Sequence, residues 1–161
     1  LPTYSIDMEM ADRVDTIMQY GVASARIAVD ASPVWARAVE YQLLDDREAE
    51  DRIVPSHRAG AAYDLVAPTR DMLRTIDDYN HARIVACGSR VEHWLNGARV
   101  AVYDTGSEDW RQRVAASKFA GQADFAKARR GHLALQDHGN AVYVRGMRIR
   151  ALGPDCRPAS L

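Results

Sequence analysis

Val91-Glu92-His93-Trp94-Leu95-Asn96-Gly97-Ala98-Arg99-Val100-Ala101-Val102-Tyr103 is the stretch that decides the fold. Asn-Gly between two apolar runs suits a two-residue hairpin, because both central positions need positive φ. A third run, Ala82 to Cys87, ends at Gly88-Ser89, so three short strands in a β-meander are expected here. Upstream, Thr3 to Met10 alternates, with Tyr4, Ile6, Met8 and Met10 on one side and Ser5, Asp7 and Glu9 on the other, which predicts a half-buried strand. Val39 to Asp45 predicts another, with Val39, Tyr41 and Leu43 on its apolar face and Glu40 and Gln42 turned the other way. Gly60 to Ala67 is strand-like. Downstream, Gly131 to Gly139 reads as a strand entering a tight turn, and Ala141 to Ile149 as a strand whose apolar phase changes at Gly146, as a β-bulge would require.

One helix is expected, over 107–119. Ser107 is a good N-cap, Glu108 and Asp109 suit the positive end of the dipole, and Trp110 and Val114 share an apolar face. Arg47 to Arg58 is a charged loop with Pro55 and His57, of the kind that serves as a lid. Thr69 to Asp78 suggests a short helical turn. The pattern is all-β: an antiparallel β-sandwich or jelly roll with one short helix, a single domain over 1–152, and a frayed tail over 153–161.

The 161 residues can bury a sizeable core, and 47% apolar with 27% charged residues is ordinary for a globular chain. A net charge of −1 with interspersed signs asks for no nucleic-acid or membrane partner, and no apolar run is long enough to span a bilayer. The chain begins Leu1-Pro2 without an initiator Met, as a processed product that has lost an export signal would. Cys87 and Cys156 make no disulfide framework or metal motif, and Cys87 reads as a small core residue.

No phosphate loop, nucleophile elbow, paired-cysteine zinc site or His-Glu-x-x-His occurs. What remains is His, Glu, Asp, Gln, Lys and Tyr on strands and adjoining loops, a set that suits general acid–base work and hydroxyl recognition. Each has a plain reading beside the functional one. His132, Gln136 and His138 share a strand face that is either solvated or the floor of a cleft. Glu40 and Gln42 are solvent-facing residues or cleft residues. His57 is a surface histidine or part of a lid, and His93 a satisfied, partly buried one. Trp94 is a sugar platform or sheet packing. Lys118 is a helix-terminal cation, and the basic loop at 127–130 a solvated surface.

Four stretches taken in order resemble the 3-keto-disaccharide hydrolase family, the domain of unknown function DUF1080. They are Glu40-Tyr41-Gln42-Leu43-Leu44-Asp45, His57-Arg58-Ala59-Gly60-Ala61-Ala62-Tyr63-Asp64-Leu65, Arg90-Val91-Glu92-His93-Trp94-Leu95-Asn96-Gly97, and Gly131-His132-Leu133-Ala134-Leu135-Gln136-Asp137-His138-Gly139, with Ser117-Lys118-Phe119 in support. The resemblance covers roughly Tyr4 to Leu152. It implies a concanavalin-like sandwich, a periplasmic or secreted location, and action on sugars already oxidised to a ketone at C3. Such a glycoside can be cleaved by removal of the C2 proton, elimination across C1 and hydration, without the paired carboxylates of ordinary glycosidases.

Carried over by motif, His138 is the expected acid–base residue with Glu40 as its partner or alternative base, and Lys118 or His57 would stabilise the enolate. Gln42, Asp45, Tyr63 and Gln136 would contact substrate. Two departures stand out: Gly21 to Ile27 replaces the family's usual Asn-Ser-Gly-Ile-type segment, leaving Arg26 as the side chain expected to reach the cleft, and the usual N-terminal strand region is lacking. Either the chain is a fragment or its sandwich is shortened, with an open edge that a partner such as a second copy could complete as a homo-oligomer. No cofactor is expected. A non-catalytic, lectin-like module is the alternative function, and a divalent cation held by His and carboxylates is a third reading without diagnostic spacing.

Overall fold

The structure is a computed structural model and describes residues 3–12, 16–19, 36–74, 78–128, 133–136 and 142–156. Its main layer is an antiparallel five-stranded sheet. The strands are β1 (Thr3–Asp12), β4 (Asn80–Cys87), β5 (Arg90–Leu95), β6 (Ala98–Asp104) and β7 (Val142–Ala151), in the spatial order β6-β5-β4-β1-β7. A two-stranded sheet pairs β2 (Thr16–Gln19) with β3 (Glu40–Leu43). The expected meander is present. Asn96 and Gly97 have φ of 48° and 83°, so both turn positions are left-handed, as the hairpin requires. The Asn96 amide also donates to Met72 O and Asn80 Oδ1 at 2.7 Å each, which ties the 72–80 connection to the hairpin tip.

Alternation sets the core. Ile6 and Met8 of β1, Ala82, Ile84 and Ala86 of β4, and Val91 and Tyr103 of β5 and β6 face inward and meet Tyr41 and Leu43 of β3. A register shift at His93/Trp94 lets adjacent Val100 and Ala101 both be buried. A second shift, between Asp7 and Glu9, falls opposite Gly146, whose φ is +64°; this is the bulge predicted from the phase change.

The helix α1 runs over Glu108–Ala115, shorter than expected. The Ser107 side chain caps it by accepting from Trp110 N, and Lys118 lies in the turn that follows rather than in the helix. Trp110 stacks between Tyr103 and Phe125, and Phe125 on Phe119, so an aromatic column seats α1 and the 119–125 turns on the sheet.

Several expectations are corrected. Cys87 and Cys156 form a disulfide, with Cα atoms 5.7 Å apart. Their 69-residue separation hid the pairing, which exists because the chain beyond β7 returns to the end of β4. Of the two readings of Glu40 and Gln42, the solvent-facing one is excluded, since they are 1% and 0% exposed. Segment 60–66 is a turn with isolated bridges at Ala62, and the charged loop holds two 3-10 turns, Glu50–Ile53 and Pro55–His57. No helical turn forms over 69–74, and Ala134 to Gln136 lie outside any strand.

Candidate active site

β3 supplies the first two side chains. Tyr41 points to the main sheet, where its hydroxyl donates to Trp94 O at 3.0 Å, so Glu40 and Gln42 share the opposite face. Both polar atoms of the buried Gln42 amide lack a hydrogen-bond partner. Burying an amide without partners is costly, so a fully buried glutamine in this state suits a place that a ligand hydroxyl completes.

The turn after His57 runs along β3 like an added strand. Gly60 N donates to Gln42 O at 2.9 Å, Gln42 N to Ala61 O at 3.0 Å, and Tyr63 N to Glu40 O at 3.0 Å. Gly60 has φ +84°, and a Cβ there would lie 2.8 Å from Val100 Cγ2, so the close approach needs glycine. His93 fastens the same point from below. Its Nδ1 is 3.0 Å from Gly60 O and its Nε2 3.0 Å from the Tyr103 hydroxyl, so Nδ1–H donates and Nε2 accepts. Burial pulls the His93 pKa down to about 4, and the ring is neutral. The expected satisfied histidine is found, and it is wholly rather than partly buried.

This register sets Tyr63 beside Glu40, and Tyr63 in turn carries His57 and Lys118. The His57 ring stacks on Tyr63 at 4.2 Å, and Lys118 Nζ sits 3.9 Å from the Tyr63 ring centroid. Burial raises the Tyr63 pKa; a hydrogen bond to Asp51 and the charges of Asp51, Glu40 and Asp64 push it further the same way, so it stays a phenol. Two aspartates not anticipated as site residues complete the cluster. Asp51 Oδ1 lies 2.7 Å from His57 Nδ1, and its Oδ2 accepts from the Tyr63 hydroxyl at 3.0 Å. Asp64 Oδ1 lies 3.2 Å from His57 Nε2, and its Oδ2 accepts from Lys118 N at 2.8 Å. The only sequence signal for them was a histidine in a charged loop with an aspartate six residues before and seven after.

Asp45 closes its strand by accepting from Arg47 N at 2.9 Å, a turn-forming role. Gln136 is half-buried, close after Leu133, which packs on the core. Trp94 lies on the opposite face of β5 from His93 and donates to Glu92 Oε2 at 2.9 Å, so it is sheet packing. His138 and Arg26 lie outside the described residues. Among the described residues, no group of three or more His, Cys, Asp or Glu is placed to hold a metal ion. Among the described residues, no helix is long and apolar enough to cross a membrane. An open recess of about 400 Å³ beside α1, lined by residues such as Trp110, Gln122, Phe125 and Lys127, contains none of the predicted site residues.

Similar proteins agree with this architecture. A 3-keto-disaccharide hydrolase of Bacteroides thetaiotaomicron is 25% identical over 134 residues, covering 74% of this chain and 46% of the relative. The chain thus spans less than half the length of that protein. Crystal structures of two candidate glycosyl hydrolases from Parabacteroides distasonis share the fold. One has a TM-score of 0.80 at 24% identity and covers 94% of this chain and 72% of its own; the other has 0.68 at 20%, covering 94% and 79%. Residues 4–150 match the 3-keto-alpha-glucoside-1,2-lyase-like domain, and the chain belongs to that family.

Proposed function

We propose that the chain cleaves the glycosidic bond of 3-keto-glycosides or 3-keto-disaccharides on a concanavalin-like sandwich. The supporting observation is the buried Glu40–Gln42 pair of β3, beside which a fixed register sets Tyr63 with Lys118 over its ring. A C3 ketone makes the C2 proton acidic. Glu40 or His138 removes it, and the electron pair moves onto the C3 oxygen as an enolate. Lys118 supplies the positive charge that stabilises this oxyanion. Collapse of the enolate expels the C1 oxygen substituent, which takes a proton from the acid partner. Water then adds at C1 of the enone and a proton returns to C2, so the net reaction is hydrolysis.

Gln42 and Gln136 bind hydroxyls, with Asp45 and Arg26 placed by motif alone. The disulfide supports a periplasmic or secreted location, since such bonds persist in oxidising compartments. The test is turnover of a 3-keto-disaccharide against its unoxidised parent, with and without chelator. Release of the aglycone sugar from the keto substrate only, lost in Glu40→Gln and His138→Ala, is expected. Saturable binding without turnover would replace this reading with the lectin-like module, and full activity in both variants would remove the two residues from it.

A further inference from the structure

We infer that Asp51, His57 and Asp64 form a positioning bridge that aims Lys118, and that His57 does not itself contact the substrate oxyanion. The inference rests on the reading of this site as a 3-keto-glycoside cleft. Lys118 and His57 are the two side chains that could stabilise an enolate oxygen, but their surroundings differ. His57 has only two ring nitrogens, and each lies within hydrogen-bond distance of a carboxylate oxygen, at 2.7 Å and 3.2 Å. Carboxylates accept only, so whichever ring nitrogen carries a hydrogen donates it to an aspartate and no N–H is left for a ligand. Its side chain is also just 15% exposed.

The two aspartates pass this anchoring on in opposite directions. Through Oδ2, Asp51 holds the Tyr63 hydroxyl at 3.0 Å. Through Oδ2, Asp64 holds the backbone N–H of Lys118 at 2.8 Å. Asp64 can do this because it adopts φ +61°, a conformation that aspartate tolerates better than most residues, and because its own N–H is tied to Ser56 O at 3.0 Å. The Lys118 ammonium then rests over the Tyr63 ring, 3.9 Å from its centroid. His57 therefore joins the two supports of one lysine: the ring under its ammonium and the carboxylate at its backbone. Three loops meet there, namely the 3-10 turn at 50–53, the 57–64 turn and the turn after α1.

The experiment is a mutant cycle on the full chain with a 3-keto-disaccharide. Asp64→Asn, Asp51→Asn and His57→Gln are compared with Lys118→Met and with each double variant. A bridge that acts through Lys118 predicts that each single variant lowers kcat roughly ten- to hundredfold, the scale of a misplaced catalytic group, with KM little changed. It also predicts that the same substitutions cost almost nothing further once Lys118 is methionine. Losses that multiply in the double variants, or single variants with wild-type kcat, overturn the bridge. If either aspartate variant fails to fold, His57→Gln, which cuts the bridge at its centre, carries the same two expectations alone. Absence of wild-type turnover overturns the functional reading instead, so the two failures are told apart.

Discussion

Acidification is expected to destabilise the fold through one buried ring. The perturbation is pH, and the group is His93, 0% exposed and held near pKa 4 against an ordinary 6.5. Between those two values the unfolded chain binds a proton that folded His93 refuses. Stability therefore rises with pH across the window, is complete above the unfolded value, and is lost as pH falls through the folded one. The shift of 6.5 − 4, or 2.5 units, at ~1.36 kcal/mol per unit sets a ceiling of about 3 kcal/mol. About 2 kcal/mol of it is gone by about pH 5. The physical cost is plain in the contacts: Nε2 accepts from the Tyr103 hydroxyl and Nδ1 donates to Gly60 O, while the rings of Tyr41 and Tyr103 pack 4.7 Å and 5.3 Å away. A proton on Nε2 would turn that acceptor into a second donor facing a hydroxyl whose hydrogen must then rotate away, inside an apolar shell. The assay is proton NMR titration of the His93 ring in the folded protein, paired with urea unfolding at each pH. A His93 ring that titrates near 6.5 while the protein stays folded would refute the reasoning.

Two further perturbations test the frame. Gly60→Ala places a methyl 2.8 Å from Val100 Cγ2 at φ +84°, so unfolding free energy should fall by about 2–4 kcal/mol from left-handed strain plus overpacking; a loss below about 1 kcal/mol in urea titration would mean that the turn has room to relax. Removing the disulfide as Cys87→Ser with Cys156→Ser should cost about 2–4 kcal/mol, because the closed loop has a sequence separation of 69; free thiols titrating in the native, unreduced protein would show that the bond is not there to remove.

The meander was legible because its signals are local. Asn96-Gly97 dictates its own backbone, and alternation in β1 and β4 reports a sheet with one buried face. The bulge at Gly146 was readable for the same reason, as a change of phase within one strand. Periodicity places Glu40 and Gln42 on one face of β3 but leaves open whether that face is wet or a cleft, because what buries them comes from elsewhere in the chain. Asp51 and Asp64 escaped as partners of His57 because a loop brings them round at spacings no helix or strand imposes. Lys118 was read as a helix-terminal cation, yet the helix stops at Ala115 and the lysine is held by Asp64 instead. The pairing of Cys87 with Cys156 needed the path of the chain after β7.

The Cys87–Cys156 bond also divides the molecule in a way that matters for survival among proteases. It makes a covalent ring out of everything from the end of β4 to the chain beyond β7, and Lys118 and Gln136 lie on that ring while Glu40, His57 and Tyr63 lie off it. A single peptide cut anywhere within the ring opens it without releasing a fragment. The turns at 116–127, which carry Lys118 and are an exposed target, can therefore be nicked once with both new ends still fastened to the sheet. The two halves of the site would part only after a second cut or a reductant.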